Sequence, residues 1–189
     1  MIEGHPRSGN TYAIAWAKLA WPNLVVASHV HHPAHVARAN QLGVASLVIA
    51  RPPAETIRSM LVYSGSNAVI PAIRRWIDYY SSTHLANPLV YVASFEDVRA
   101  HMPEVVAALS DATGLALDRP KTLPQEAQLF DAVKALGDRR FGSIPEQKLS
   151  IPTAKRSEQS ARLAPLFETT EASELLRRAD DLYHRILAR

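Results

Sequence analysis

Two glycines near the start of the chain bracket a segment that is suited to holding a phosphate group. Gly4 to Thr11 reads GHPRSGNT, and its glycine spacing matches the phosphate-binding loop GxxxxGK[ST]. In such loops, backbone N–H groups and the N-terminus of the following helix bind phosphate oxygens. Asn10 stands where the lysine would reach the outer phosphates of a triphosphate, and the cation has moved to Arg7. The segment therefore predicts an anion site that is poorly equipped for triphosphate hydrolysis. The alternative interpretation is a Gly-Pro turn with an incidental arginine.

A second candidate anion site follows the most strand-like stretch of the chain. Ala45–Ala50 is apolar almost throughout, which is typical of a strand buried on both faces. Arg51 follows it, and Ser59 lies about two turns into the next predicted helix. A guanidinium group binds phosphate in a bidentate manner and stays charged. An ordinary strand-end arginine and an ordinary helix serine are the alternative interpretation.

Four histidines in the segment SHVHHPAH are candidates for acid–base chemistry, because the histidine pKa lies near neutrality. His29 and His31 share one face if the preceding strand continues. A zinc site is one alternative, although the sequence nearby offers no Asp, Glu or Cys to complete it. A solvated loop with incidental histidines is the other. The histidines are His29, His31, His32 and His35.

Alternating strands and helices predict how these residues are positioned. We expect an α/β fold, a three-layer domain with a central, mainly parallel sheet flanked by helices, in which ligands bind at the carboxyl ends of strands. The predicted strands are Met1–Gly4, Leu24–Ser28, Ala45–Ala50 and Leu89–Ala93. The predicted helices are Asn10–Ala20, one ending near Gly43, Pro52 to about Tyr63, Asn67 to about Ala86, Pro103–Thr113, Pro124–Leu136 and two at the C-terminus, with Asp138–Pro152 mainly loop.

Composition limits the classes of function. The 189 residues suit one domain over 1–189, and the formal charge of +3 is too small to indicate nucleic-acid binding. The chain has no cysteine, which excludes disulfides, thiolate metal sites and a cysteine nucleophile. No apolar run is long enough to span a membrane, and no secretory signal is evident. We therefore expect a cytoplasmic protein with neither a nucleic-acid nor a membrane partner.

The segment GHPRSGNTY resembles the 5′-phosphosulfate loop of the sulfotransferases that use 3′-phosphoadenosine 5′-phosphosulfate (PAPS). The resemblance implies a P-loop-containing nucleoside triphosphate hydrolase-like fold. It also implies that Arg7 contacts the transferring sulfuryl group and that Tyr12 stacks on adenine. The cofactor-binding loop of that family corresponds here to Pro6, Arg7, Ser8, Gly9, Asn10 and Thr11, of which Ser8 to Thr11 hold the 5′-phosphate.

Two further segments are similar to motifs of the same family. VIARPPAETIRSM resembles its 3′-phosphate motif, which implies that Arg51 and Ser59 bind the 3′-phosphate. Ala27-Ser28-His29 aligns with the K-T-H motif of the cytosolic members, which implies that His29 is the general base, with His31 as the fallback. Ala27 departs from the motif, because it replaces a lysine that stabilises the transferring group.

The C-terminal half carries weaker correspondences. The family's R-K-G loop, which closes over the 3′-phosphate, is absent, and the nearest basic pair is Lys155-Arg156, followed by Arg139-Arg140. A helix-capping pair is the alternative for Lys155 and Arg156. Ser94–Asp97 resembles the family's [YF]-E-D segment, and the dimerisation motif that would set an oligomeric state is not recognisable.

The resemblance implies sulfuryl transfer from PAPS to a hydroxyl or amine of a small-molecule acceptor. Adenosine 3′,5′-bisphosphate would be the product, and the reaction needs no metal. A P-loop nucleotide or small-molecule kinase is one alternative, and the missing lysine counts against it. A non-catalytic nucleotide-binding domain is the other.

Overall fold

A small parallel sheet forms the centre of the protein. This computed structural model describes residues 1–118, 120, 122–141 and 154–188. Within them the sheet has the strand order β1 (Ile2–Glu3), β2 (Ser46–Ala50) and β3 (Val90–Ser94), and each neighbouring pair is parallel. The predicted α/β class with a parallel sheet is confirmed.

The strand predicted at Leu24–Ser28 is wrong. This segment makes one parallel bridge, between Ile2 and Ser28, and the Ile2 N–H donates to the Ala27 carbonyl over 3.0 Å. Since β1 has two residues, the chain beside it has no room for a longer ladder. Val25 is accordingly 94% exposed rather than packed as a strand residue would be.

The helices as far as Ser64 agree with the prediction, and several later ones depart from it. The helix predicted from Asn67 to Ala86 ends at Tyr80, and a 3₁₀ turn covers Thr83–Ala86. The helix expected to stop at Gly137 continues to Phe141, and α5 was not predicted. The described helices are α1 (Asn10–Ala20), α2 (Pro33–Gln41), α3 (Pro53–Ser64), α4 (Val69–Tyr80), α5 (Phe95–Ala100), α6 (Met102–Thr113), α7 (Glu126–Phe141), α8 (Ala154–Arg162), α9 (Ala164–Phe167) and α10 (Thr170–Leu187).

The central strand β2 divides the hydrophobic core into two parts. All five of its residues are buried, and alternate side chains point to opposite faces of the sheet. Val48 and Ala50 pack with α3, α4 and α10, whereas Leu47 and Ile49 pack with α1, α6 and α7. Helices therefore cover both faces of the sheet and leave its carboxyl edge to the loops. None of the described helices is long and apolar enough to cross a membrane.

Candidate anion site at the strand ends

The candidate site lies where β1 and β2 end. The loop after β1 leads into α1, which begins at Asn10, and Arg51 follows β2 immediately before α3. Because β1 and β2 are neighbouring and parallel, both segments leave the sheet at the same edge. The two sequence motifs predicted to bind phosphate are thus side by side.

Close packing explains both glycines of the loop. A Cβ atom on Gly4 would lie 2.5 Å from the Ile49 carbonyl oxygen, so the loop passes too close to β2 for a larger residue. Gly9 has a φ of 104°, and a Cβ there would meet the ring of Phe95. The loop therefore rests directly on β2 and on the start of α5.

The N-terminus of α1 offers unpaired backbone donors. Gly9 is its N-cap, no side chain caps the helix, and its first turn contains no acidic residue. The N–H groups of Gly9, Asn10 and Thr11 donate to no carbonyl in the part of the chain that the structure describes. Such N–H groups, together with the helix dipole, favour an anion at this position.

Arg7 connects the loop to the second motif. It has a φ of 73°, and its Nε donates to the Ser59 hydroxyl over 3.2 Å. Its guanidinium also lies over the ring of Tyr63, 5.2 Å from the ring centroid. The predicted 5′-phosphate loop and the predicted 3′-phosphate helix are therefore in direct contact.

Arg51 is held by a surface carboxylate that the sequence analysis did not consider. Its Nε and Nη2 donate to the same oxygen of Glu55 at 3.1 and 3.0 Å, and its guanidinium lies 5.2 Å from the Phe95 ring centroid. The two side chains are 28% and 58% exposed, so the pair contributes at most about 1 kcal/mol. A phosphate can displace Glu55 at little cost. The ring of Phe95 therefore contacts both motifs, at Gly9 and at Arg51.

A buried tyrosine fixes the underside of the loop. The Tyr80 hydroxyl donates to the Ile49 carbonyl at 2.6 Å and accepts from the His5 N–H at 3.2 Å. It also lies 3.0 Å from the Ser8 hydroxyl. Burial raises the pKa of Tyr80, so the phenol keeps its proton and remains a donor. Ser8 is fully buried, and its observed contacts hold the loop rather than face solvent; its role towards a phosphate stays a prediction.

Asn10 also faces inward. Its Nδ2 donates to the Gly4 carbonyl at 3.2 Å and to the His5 carbonyl at 3.4 Å, and the residue is 3% exposed. Thr11 is half-buried in the same turn, where its hydroxyl is 3.2 Å from His29 Nε2. Asn10 therefore does not reach out as a P-loop lysine does.

Tyr12 packs against α5. Its hydroxyl donates to the Arg99 carbonyl at 3.2 Å, and its ring meets that of Phe95 edge to face, with 6.2 Å between centroids. Burial raises the pKa of Tyr12, and Glu126 acts in the same direction. The predicted stacking of Tyr12 on adenine stays a prediction, and Phe95 is a second aromatic ring in the same place.

His5 is a neutral residue beneath the loop. It is fully buried, and burial lowers its pKa to about 3, with smaller contributions from Arg75 and His31 in the same direction. Its Nδ1–H donates to the Pro6 carbonyl over 3.1 Å. Among the described residues its Nε2 has no hydrogen-bond partner. Pro6 was predicted to belong to the cofactor-binding loop, and its carbonyl is thus bonded to the buried His5 side chain of the same loop.

A buried carboxylate organises the histidine-rich segment. Glu3 is fully buried, and it accepts N–H groups from Val30 at 2.8 Å and from His31 at 3.2 Å. It also accepts Nδ1–H of His35 at 2.8 Å. Glu3 is remote from the histidines in the sequence, but the fold places it beside them. Even so, the described ranges contain no group of three or more His, Asp or Glu residues that could hold a metal ion.

His29 and His31 project towards the loop from a strained backbone. Their φ angles are 67° and 54°, and their ring centroids are 5.5 Å apart. Along the described chain, the non-glycine residues with positive φ are these two and Arg7. Such strained residues cluster at functional sites, where the surroundings hold them in place.

The two basic pairs of the C-terminal half lie on α7 and α8. Lys155 and Arg156 lie in the first turn of α8 and Arg139 and Arg140 in α7, but their side chains fall outside the described residues. The backbone of α8 packs against α3, the helix that carries Ser59. The predicted role of Lys155 and Arg156 at the 3′-phosphate stays a prediction.

Comparisons with protein-family models, with curated proteins and with solved structures found no match. Function is therefore inferred from the sequence motifs and from the geometry of the strand ends.

Proposed function

We propose that this chain is a sulfotransferase that moves a sulfuryl group from PAPS to a hydroxyl or amine of a small-molecule acceptor. The observation that carries the proposal is the 3.2 Å contact between Arg7 Nε and the Ser59 hydroxyl. It joins the loop suited to a 5′-phosphate to the helix suited to a 3′-phosphate. One nucleotide with a phosphate at each end of its ribose fits such a paired site.

In this proposal the N–H groups at the start of α1 bind the 5′-phosphate, and Arg51 with Ser59 binds the 3′-phosphate. Arg51 exchanges its partly exposed partner Glu55 for the phosphate, which is a stronger, doubly charged acceptor. Adenine lies near Tyr12 and Phe95, whose rings already stand together.

The chemistry requires charge compensation and a base. The acceptor attacks sulfur in line with the leaving 5′-phosphate, on which negative charge accumulates. The amides at the start of α1 stabilise this charge without reorganising. In the proposal Arg7 exchanges its contact with Ser59 for the transferring group. A histidine of the adjoining loop, His29 or His31, takes the acceptor's proton.

A kinase reaction fits the same site less well. A P-loop kinase needs a cation that reaches the β and γ phosphates, and Asn10 at that position is buried and bonded to the loop's own carbonyls. The sulfuryl-transfer proposal instead needs one cation beside the loop, which Arg7 provides.

Ligand binding and turnover test the proposal together. Adenosine 3′,5′-bisphosphate at about 100 times its Kd should stabilise the protein by ~2.7 kcal/mol and raise Tm by roughly 5–11 °C, whereas ATP with Mg²⁺ should have little effect. Labelled PAPS offered with a panel of alcohols, phenols and amines should yield a sulfated product. Preference for ATP would favour a kinase, and tight binding without transfer would favour a non-catalytic domain.

A further inference from the structure

The carboxylate of Glu3 is an unusual feature of the strand that precedes the loop. A buried carboxylate is costly unless it is hydrogen-bonded, and Glu3 is fully buried. It accepts N–H groups from Gly4 at 3.4 Å, Val30 at 2.8 Å and His31 at 3.2 Å, and Nδ1–H of His35 at 2.8 Å. These bonds fasten the histidine segment to the end of β1, beside the anion loop.

The same bonds hold the backbone that aims the histidine rings. His31 adopts a φ of 54°, which its own N–H bond to Glu3 and the neighbouring bond from Val30 maintain. A residue with a side chain rarely occupies this region without such support. Glu3 therefore determines where the His31 ring lies relative to the loop.

The hydrogen bonds of the His31 ring determine which nitrogen carries its proton. Nδ1 lies 2.9 Å from the Gly4 carbonyl oxygen, which only accepts, so Nδ1 is protonated. Asn10 Nδ2 lies 3.3 Å from the same nitrogen, but its hydrogens are directed to the carbonyls of Gly4 and His5. In the neutral ring, Nε2 therefore holds the lone pair.

The Nε2 atom of His31 is also the accessible nitrogen. All hydrogen bonds of the ring to the described residues are made through Nδ1, and the side chain is 22% exposed. The ring of His29 is placed differently, because its Nε2 lies 3.2 Å from the Thr11 hydroxyl and its Nδ1 lies 3.0 Å from the Ser28 hydroxyl. His29 would have to break a contact with the loop before it could accept a proton from an acceptor.

We infer that His31 Nε2, rather than His29, accepts the acceptor's proton, and that Glu3 is the positioning residue for this step. The inference rests on the proposed function. As the acceptor O–H bond breaks, its proton moves to Nε2 and its oxygen forms the new bond to sulfur. The bond from sulfur to the 5′-phosphate oxygen breaks, its electron pair stays on that oxygen, and adenosine 3′,5′-bisphosphate leaves. The resulting imidazolium has the Glu3 carboxylate 3.8 Å from Nδ1, which stabilises its charge until the proton passes to water.

Two substitutions separate the histidines. In H31N the amide nitrogen takes the position of Nδ1 and keeps the bond to Gly4, but no atom replaces the basic Nε2. In H29Q the amide takes the position of Nε2 and keeps the contact with Thr11, but it is not a base. We expect H31N to lower kcat by about 10²–10⁴-fold. H29Q should stay within roughly tenfold of the wild type, and both variants should bind adenosine 3′,5′-bisphosphate as the wild type does.

The E3Q variant tests the positioning role. Glutamine keeps the size of Glu3, but its NH₂ group cannot accept the N–H groups that the carboxylate accepts. We expect kcat to fall by at least about tenfold with little change in the affinity for adenosine 3′,5′-bisphosphate, because the phosphate donors of α1 are untouched. Nitrogen-15 NMR of the free protein should show His31 protonated at Nδ1 in the wild type and a mixture of tautomers in E3Q.

The outcomes distinguish this inference from the proposed function. A wild-type protein that does not bind adenosine 3′,5′-bisphosphate contradicts the proposed function and removes the proton-transfer role with it. A wild type that binds and turns over, while H31N retains activity and H29Q loses it, contradicts the inference alone. A wild-type His31 ring protonated at Nε2 overturns it whatever the nucleotide does.

Discussion

Two neighbouring tyrosines provide a matched test of how the anion loop is supported. Tyr79 and Tyr80 are 3% and 2% exposed, so phenylalanine at either position keeps the packing and removes one buried hydroxyl. The Tyr80 hydroxyl makes three contacts, to the Ile49 carbonyl, the His5 N–H and the Ser8 hydroxyl. The Tyr79 hydroxyl has no hydrogen-bond partner in the described part of the chain.

The magnitude follows from these contacts. In Y80F the buried N–H of His5 loses its acceptor, and a buried polar group left without a partner costs about 1–3 kcal/mol. Loss of the 2.6 Å bond to Ile49 adds about 1 kcal/mol. We therefore expect Y80F to lower the free energy of unfolding by about 2–4 kcal/mol and Tm by roughly 5–15 °C. It should also weaken the binding of adenosine 3′,5′-bisphosphate, because the loop at His5 and Ser8 is released.

The Y79F variant is the control. Removing a buried hydroxyl without a partner should leave the free energy of unfolding unchanged or raise it by up to about 2 kcal/mol. Urea unfolding of the two variants measures the difference. Equal destabilisation by Y79F and Y80F would refute the view that the Tyr80 hydrogen bonds hold the loop.

Two further substitutions test the charges around the site. Burial lowers the His5 pKa from its usual 6.5 to about 3. As the pH falls, His5 is therefore protonated in the unfolded chain before it is protonated in the folded protein. The stability that neutral His5 contributes above pH 6.5 is consequently lost as the pH falls towards 3. Urea unfolding between pH 5.5 and 4.5 should show that H5N removes a slope of about 1.4 kcal/mol per pH unit, and an unchanged slope would contradict this. E55Q should remove the ion pair of Arg51 and increase the affinity for adenosine 3′,5′-bisphosphate, measured by calorimetry, up to about fivefold. E171Q, which removes another exposed ion pair, is the control and should leave the affinity unchanged. Equal effects of the two variants would exclude competition between Glu55 and the phosphate.

The parts of the fold that follow from local pattern were predictable. The apolar run of β2 and the glycine spacing of the loop appear in the structure as a buried strand and a tight strand–helix turn. The strand predicted at Leu24–Ser28 failed because pairing depends on the partner's length, and β1 ends after Glu3. The hydrophobicity of a segment does not indicate how many residues the neighbouring strand offers for pairing.

The residues that organise the site were less predictable. Glu3 was not recognised, because a carboxylate in a sequence is ordinarily exposed, and its donors come from a segment almost thirty residues later. Phe95 supports both Gly9 and Arg51 although it begins an unpredicted helix. These contacts depend on where the strand ends converge. The only local signals were the charge within an apolar strand and the aromatic residue directly after β3.

The central claim is that the loop at Arg7 and the guanidinium of Arg51 bind the two phosphates of one nucleotide. Calorimetry with adenosine 3′,5′-bisphosphate and with adenosine 5′-monophosphate, on the wild type and on R51A, tests it directly. The wild type should prefer the bisphosphate by about 1.5–3 kcal/mol, and R51A should lose that preference while binding the monophosphate unchanged. A wild type that binds both ligands equally, or an R51A variant that weakens both to the same extent, would contradict the claim.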